Sequence, residues 1–243
     1  MLSFVTTFEW INTLILHDDG TRTQNNNLYK TQMPTQSTVV RILKLAVLSS
    51  TNATDMDAIV DAIRYEGLDA QIAVVASNRK CPALDRAKGF GIPAHFVDPA
   101  GKTKEEYDKA LYEAIAPYKP DLILLIGYMR FLTQWFVDKY GNRIMNIHPS
   151  LLPEFAGGMD LNVHEEVLKA GKSRSGATLH FVDETPDGGP IIFQKEVQIA
   201  LGETPKTLKE KVQQAEGELI VKAVDLFGKG KIKVSDGKVT IHK

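Results

Sequence analysis

The chain has 243 residues, of which 43% are hydrophobic and 24% charged, enough apolar material for one large α/β domain or two small ones. Its 29 Lys and Arg nearly balance its 30 Asp and Glu, which argues against a protein whose main task is to bind nucleic acid or an anionic membrane. Cys81 is the one cysteine, so an internal disulfide is excluded and a reduced, cytoplasmic compartment is expected.

The first forty residues differ from the rest. They hold few charged side chains and are rich in Asn, Gln and Thr. The apolar patch over 4–16 is too short and too polar for a membrane span, and it lacks the basic start and the cleavage site of a signal peptide. We interpret residues 1–42 as a disordered extension or a misassigned start, with Met33 as the alternative initiator.

From residue 43 onward, apolar runs of strand length alternate with helical patterns. Strands this apolar, separated by helices, are typical of a parallel sheet that is covered on both faces. In such sheets ligands bind beyond the carboxyl ends of the strands. The pattern predicts strands over 44–48, 70–76, 93–97, 121–126 and 143–147, helices over 56–64, 83–88 and 104–116, and a further helix before residue 143.

The second part of the chain has a different pattern. Strands are predicted over 178–182 and 191–197, on either side of the turn 187–190. A long helix over 204–227 follows, with Thr204 before it and Pro205 at its first position. Asp236-Gly237 then predicts a hairpin of strands 231–234 and 238–242. Residues 43–243 are therefore expected to form one α/β domain with a single doubly wound, mostly parallel sheet and an antiparallel C-terminal portion.

Polar side chains stand where folding does not require them. Asn146 and His148 end a predicted core strand, and because they are two positions apart they should face the same side. Asp187 precedes two glycines, which allow the backbone to approach a ligand closely. The structural alternatives are a core or capping histidine bonded to a carbonyl and an ordinary turn aspartate.

Together these three side chains suit the attack of an amine on an acyl carbon. Asn146 would hydrogen-bond the developing oxyanion, and His148 would donate to it or move protons. Asp187 would raise the pKa of the imidazole, so that the imidazolium persists near neutral pH. Spacing along the chain does not establish that the three residues meet.

Several motifs in order resemble the phosphoribosylglycinamide formyltransferase family, from about residue 44 to the C-terminus. They are Asn-Ile-His-Pro-Ser-Leu-Leu-Pro at 146–153, Gly-Ala-Thr-Leu-His-Phe-Val at 176–182 and Asp-Gly-Gly-Pro-Ile-Ile at 187–192, together with segments 102–108 and 127–132. The resemblance implies a Rossmann-like formyltransferase fold. It also implies transfer of a formyl group from 10-formyltetrahydrofolate, a co-substrate, to the amine of glycinamide ribonucleotide in de novo purine (IMP) biosynthesis. It implies no metal, no nucleic-acid or membrane partner, and a monomer or homodimer.

The resemblance also implies roles for individual residues. The catalytic residues would be Asn146, His148 and Asp187, with His180 close to them. The residues that contact the folate would be Lys104, Met129, Arg130, Phe131, Leu132, Asn146, Val182 and Asp187, and those that bind the phosphoribosyl acceptor would be Ala53, Thr54, Asp55, Gln213, Gln214 and Glu216.

The chain departs from the family pattern at three places. Ala53, Thr54 and Asp55 stand where Gly, Ser and Asn are usual, so we expect phosphate binding by Thr54 and the helix N-terminus, with a changed acceptor as the alternative. The segment 155–164 is longer than usual, with His164 matching the second of two histidines. Lys104 replaces an arginine, which predicts a weaker grip on a folate carboxylate.

Three other functions compete. A formyltetrahydrofolate hydrolase is expected to carry an N-terminal regulatory domain, and a second histidine at Pro149. A methionyl-tRNA formyltransferase is expected to differ after Pro153 and to carry a tRNA-binding domain. A non-catalytic folate- or nucleotide-binding protein would not need Asn146, His148 and Asp187 together.

Overall fold

The computed structural model describes residues 14–16, 22–24, 41–158 and 161–242, and it divides into the units 1–39 and 40–243. In the first unit, strands β1 (Leu14–Leu16) and β2 (Arg22–Gln24) pair antiparallel. The interpretation of 1–42 as an extension, and of Met33 as an initiator, falls almost entirely on residues outside the described ranges. Among the described residues, none of the helices is long and apolar enough to cross a membrane.

The second unit is built on a seven-stranded sheet, which confirms the predicted fold class. Its strands are β3 (Leu43–Leu48), β4 (Ala70–Ser77), β5 (Ala94–Phe96), β6 (Leu122–Leu125), β7 (Ile144–His148), β8 (Arg174–Phe181) and β9 (Ile191–Gln198). They lie in the order β5-β4-β3-β6-β7-β8-β9. The first five are mutually parallel, whereas β8 and β9 pair antiparallel, so the sheet is mostly parallel with an antiparallel C-terminal edge.

Helices cover both faces of this sheet, as its apolar strands require. In β3, Leu45 and Val47 pack on one face while Ala46 and Leu48 pack on the other. The first face is covered by α1 (Asp55–Tyr65), α2 (Pro82–Gly89), α5 (Leu161–Lys169) and α6 (Pro205–Gly228), and the second by α3 (Lys104–Ile115), the 3-10 turn Ala116–Tyr118 and α4 (Gln134–Tyr140).

The C-terminal hairpin corrects one expectation. Strands β10 (Ile232–Ser235) and β11 (Lys238–Ile241) pair with each other around Asp236 and Gly237, both at positive φ, as predicted. They form a separate two-stranded sheet, so the expectation of one continuous sheet is wrong for this segment. The hairpin joins the domain through side chains such as the buried Ile232, which packs in the core, rather than through a strand ladder.

The order of the strands determines where a ligand can enter. From β3 the chain moves outward to β4 and β5, then returns to place β6 on the opposite side of β3. Connections that diverge in this way leave a crevice at the carboxyl ends of the two central strands. The Ser50 hydroxyl accepts a hydrogen bond from the Met129 N–H at 2.8 Å and so ties together the loops that follow β3 and β6. Glycine is needed at 127, where φ is +59° and a Cβ would lie 2.4 Å from Thr51 Oγ1.

Candidate active site

Antiparallel pairing of β7 with β8 brings two polar residues side by side. Asn146 lies directly opposite His180, and His148 lies opposite Thr178. Directly opposite residues point to the same face, so the Asn146 amide reaches the His180 imidazole, with Nδ2 and Nε2 3.0 Å apart. Asn146 and His148 line the same cleft at the end of β7, as their spacing predicts.

Asp187 reaches these residues from the turn between β8 and β9. Its φ is +51°, a conformation that Asp tolerates better than most residues. Its Oδ1 accepts a hydrogen bond from Asn146 Nδ2 at 3.3 Å, and its Oδ2 lies 3.4 Å from His148 Nδ1. Asp187 therefore contacts both of the other predicted catalytic residues.

The turn can place Asp187 there because of Gly189. A Cβ on Gly189 would lie 1.9 Å from the Phe181 carbonyl oxygen, so only glycine fits against this backbone. The sequence indicated glycines that allow close approach to a ligand; at Gly189 the close approach is to strand β8.

Gly189→Ala should therefore lower the free energy of unfolding by about 2–3 kcal/mol, since the backbone must move to admit a methyl group. It should also lower kcat, because Asp187 moves with the turn. Urea unfolding and steady-state kinetics test this. The matched control is Gly202→Ala, where φ is +81° and no atom lies within 4 Å of the added Cβ. That control should cost about 1 kcal/mol and leave kcat unchanged; equal losses of stability in both variants would contradict the steric argument.

The hydrogen bonds define which nitrogen of His180 carries the proton. Its Nδ1 lies 2.8 Å from the Phe181 carbonyl oxygen, which can only accept, so Nδ1 carries the proton. His180 Nε2 lies between Asn146 Nδ2, at 3.0 Å, and Asp187 Oδ1, at 3.6 Å. The Asn146 amide thus donates to Asp187 and lies against the His180 ring.

His148 also faces two acceptors. Its Nε2 lies 3.1 Å from the Phe155 carbonyl oxygen, and its Nδ1 faces the Asp187 carboxylate. A carbonyl and a carboxylate both prefer N–H groups, so these partners favour the imidazolium. The Gly157 N–H donates to Asp187 Oδ2 at 2.8 Å, so the loop after Pro153 contacts both members of the pair.

The pKa values correct one prediction. Burial lowers the pKa of His148 below its ordinary value, and this outweighs the opposing effects of the Asp187 charge and the Phe155 carbonyl. The prediction that the His148 pKa is raised is therefore wrong in this structure, although Asp187 acts in the expected direction. Burial opposes ionisation of Asp187 too, but His180, His148 and the Gly157 N–H together lower the pKa of that carboxyl. Asp187 is therefore an ionised carboxylate at neutral pH.

One cleft extends from this cluster to the end of β6. Arg130 in its wall stacks on Tyr107, with its guanidinium carbon 4.3 Å from the ring centroid. Lys104 is exposed at the start of α3 and does not line the cleft, so its role stays a prediction. The predicted folate residues that do line it are Met129, Arg130, Phe131, Leu132, Asn146, Val182 and Asp187.

A second cavity lies on the other side of the strand ends, at the start of α1. Ala53 has a φ of +48° there, a backbone conformation that suits the glycine usual at this position. Gln213 Nε2 donates to Thr54 Oγ1 at 2.8 Å, which joins α6 to the loop. Of the predicted acceptor residues, Ala53, Thr54, Asp55, Gln213 and Glu216 line this cavity, whereas Gln214 is exposed and faces the groove between α1 and α6.

The two cavities share part of their walls. Gly127, Met129, Ile147 and Pro149 line both of them. Two small molecules bound on the two sides would therefore meet at the end of β7, beside Asn146 and His148.

Some contacts of the site could not be predicted from the sequence. The backbone groups of Phe155 and Gly157 carry no side-chain signal, and Lys209, which lines the second cavity, lies within an ordinary amphipathic helix.

This chain is similar in sequence and in fold to known proteins. Residues 43–224 match the family model described as formyl transferase. The chain is 34% identical over 196 residues to phosphoribosylglycinamide formyltransferase of Escherichia coli (strain K12), which covers 80% of this chain and 91% of that protein. The crystal structure of glycinamide ribonucleotide transformylase 1 from Symbiobacterium toebii matches with a TM-score of 0.79 at 35% identity, over 84% of this chain and 95% of that one.

Longer relatives match the same region. The chain is 37% identical over 199 residues to the trifunctional purine biosynthetic protein adenosine-3 of Homo sapiens, which covers 81% of this chain and 19% of that protein. The chain therefore spans about a fifth of the length of these trifunctional relatives.

Proposed function

This chain belongs to the formyl transferase family, and we propose on that basis that it transfers the formyl group of 10-formyltetrahydrofolate to the amine of glycinamide ribonucleotide in purine biosynthesis. The similarity to the Escherichia coli phosphoribosylglycinamide formyltransferase, which extends over most of both chains, supports this choice of acceptor. The observation that carries the proposal is the contact of Asp187 with both Asn146 and His148 at the end of β7, where two cavities share a wall.

The two sides of the site fit the two substrates. The cleft that runs past Met129 and Phe131 is lined by apolar and polar side chains, and the half-exposed Phe131 ring offers a surface against which a flat heteroaromatic group can pack. The other cavity ends at the N-terminus of α1, where the helix dipole favours an anion such as a phosphate. The folate supplies the formyl group. The residues of this chain orient that group, stabilise the charge that develops on it and transfer protons.

The attack places negative charge on the formyl oxygen as the bond from the amine nitrogen to the formyl carbon forms. Asn146 donates an N–H to that oxygen by exchanging one of its present hydrogen bonds. Burial keeps the pKa of His148 below its ordinary value in the free site, so the imidazolium forms as negative charge develops beside the ring, and Asp187 then stabilises it. The intermediate then collapses with loss of the bond from the formyl carbon to the folate nitrogen.

Protons must also move for the reaction to balance. The attacking amine loses a proton and the departing folate nitrogen gains one. Asp187 is ionised and accepts hydrogen bonds, so it accepts the amine proton through a water molecule, and the low pKa of its carboxyl favours passing that proton on. His148 lies beside it and takes part in the return of the proton.

The direct test mixes the purified protein with both substrates and follows the deformylated folate. Product formation should require glycinamide ribonucleotide, and the formylated ribonucleotide should appear in equal amount. Absence of turnover with both substrates present would reject the proposal. Release of formate without any acceptor would instead support the formyltetrahydrofolate hydrolase alternative.

A further inference from the structure

The second cavity contains a carboxyl group where the acceptor's phosphate is expected. Asp55 is the first residue of α1 and is 8% exposed, and it lines the cavity next to Thr54 and Gln213. The start of a helix favours an anion, and Asp55 places the protein's own anion there.

The charges around Asp55 come from three helices. On α1 itself, Asp57 lies two residues further along. Helix α6 contributes Lys209 and Glu216 to the same cavity, and α5 contributes the buried His164. Burial is the main cause that raises the pKa of Asp55, to about 7; the Asp57 charge adds to it, whereas a backbone hydrogen bond and Lys209 oppose it. The carboxyl therefore changes its charge within the physiological pH range.

We propose that Asp55 controls acceptor binding through its charge: the cavity binds a phosphate ester when the Asp55 carboxyl is protonated and repels it when the carboxyl is ionised. This inference rests on the proposed function for the identity of the acceptor. The physical reason is that a protonated carboxyl offers an O–H to a phosphate oxygen, whereas a carboxylate offers only acceptors and a like charge. The Asn that is usual at this position would offer N–H donors at every pH.

The expected consequence is a dependence of acceptor affinity on pH that Asp55→Asn removes. Ribose 5-phosphate is a suitable probe, because it carries the phosphate but lacks the amine that titrates in the acceptor. Its inhibition constant against glycinamide ribonucleotide should be measured between pH 6 and pH 8.5 in both proteins. The ratio of the wild-type constant to that of Asp55→Asn should rise about tenfold or more across this range, and the intrinsic titration of the phosphate cancels in that ratio.

Asp61→Asn is the matched control. It makes the same change on the same helix, at an exposed carboxylate that does not line this cavity and is not among the groups that shift the Asp55 pKa. The ratio of the wild-type inhibition constant to that of Asp61→Asn should stay constant with pH. If Asp55→Asn lowers the yield of folded protein, Asp55→Ser makes the same charge change in a smaller side chain.

The outcomes separate the two proposals. A ratio that does not change with pH, in a protein that formylates glycinamide ribonucleotide, would overturn the role of Asp55 and leave the function intact. If no variant formylates glycinamide ribonucleotide at any pH, the proposed function fails. In that case the direct binding of ribose 5-phosphate, measured by calorimetry in the same variants, still decides whether Asp55 controls the binding of a phosphate ester.

Discussion

His148→Ala should lower kcat by about 10²–10⁴, the usual contribution of a positioned acid or base. The imidazole lies at the end of β7 with Asp187 at one nitrogen and the Phe155 carbonyl at the other, and both partners favour its protonated form. Alanine removes the imidazolium whose positive charge stabilises the oxyanion, and no other side chain of this cluster replaces it. Single-turnover kinetics of formyl transfer, with both substrates saturating, give the measurement.

His180→Ala is the control for that experiment. His180 is as deeply buried as His148, but it contacts Asn146 and Asp187 rather than the Phe155 carbonyl oxygen. It acts by positioning the Asn146 amide, so its loss should cost about tenfold or less in kcat. If His180→Ala loses as much activity as His148→Ala, the site works as a single hydrogen-bonded unit and the separate role of His148 is wrong.

The His148→Ala variant also tests how His148 affects the stability of the folded chain. The pKa of His148 in the folded chain lies below its value of 6.5 in the unfolded chain. As the pH falls below 6.5, His148 therefore binds a proton more readily in the unfolded chain than in the folded one. The stability associated with burying a neutral His148 is thus present above that pH and is lost in acid. Wild type should therefore lose more stability than His148→Ala between pH 7 and pH 5, as measured by urea unfolding at each pH.

Local patterns were sufficient to predict most of the fold. The helix expected over 204–227 is observed as Pro205–Gly228, because the Thr204 side chain accepts from the Thr207 N–H and Pro205 can occupy the first turn. Helix α5 was not predicted. Its buried Val163 and Val167 make one short apolar stripe directly after a glycine-containing loop, which is too brief for a periodic signal.

The site was predictable only in part, and the reason is geometric. Asn146 and His148 share a face because they are two positions apart in a strand, which any extended chain ensures. Asp187 joins them because β8 pairs antiparallel with β7, a partner choice that spacing does not contain. The direction of the His148 pKa shift depends on how completely the folded chain excludes water from the ring. Loop and sheet together produce that burial, so the sequence indicated the neighbouring charge but not the larger opposing effect.

Asp187→Asn should lower kcat by about 10²–10³ with little change in the fold. Asparagine tolerates the positive φ of this position, and its side-chain oxygen can still accept the Gly157 N–H. The variant therefore isolates the charge. Without it, the pKa of His148 should fall further, since one of the two influences that raise it is gone. The activity that remains should thus be higher near pH 6 than near pH 8, relative to wild type at the same pH.

Asp236→Asn provides the matched control for this loss of charge. Asp236 also has a positive φ, of 49°, and it lies in the turn of the C-terminal hairpin, outside the two cavities. The same substitution in the same backbone conformation should leave kcat and its pH profile unchanged. Full activity in Asp187→Asn would mean that the carboxylate neither supports the imidazolium nor relays the amine proton. A large loss that is constant with pH would keep the proton relay but reject the effect on His148, because only that effect depends on the titration of the imidazole.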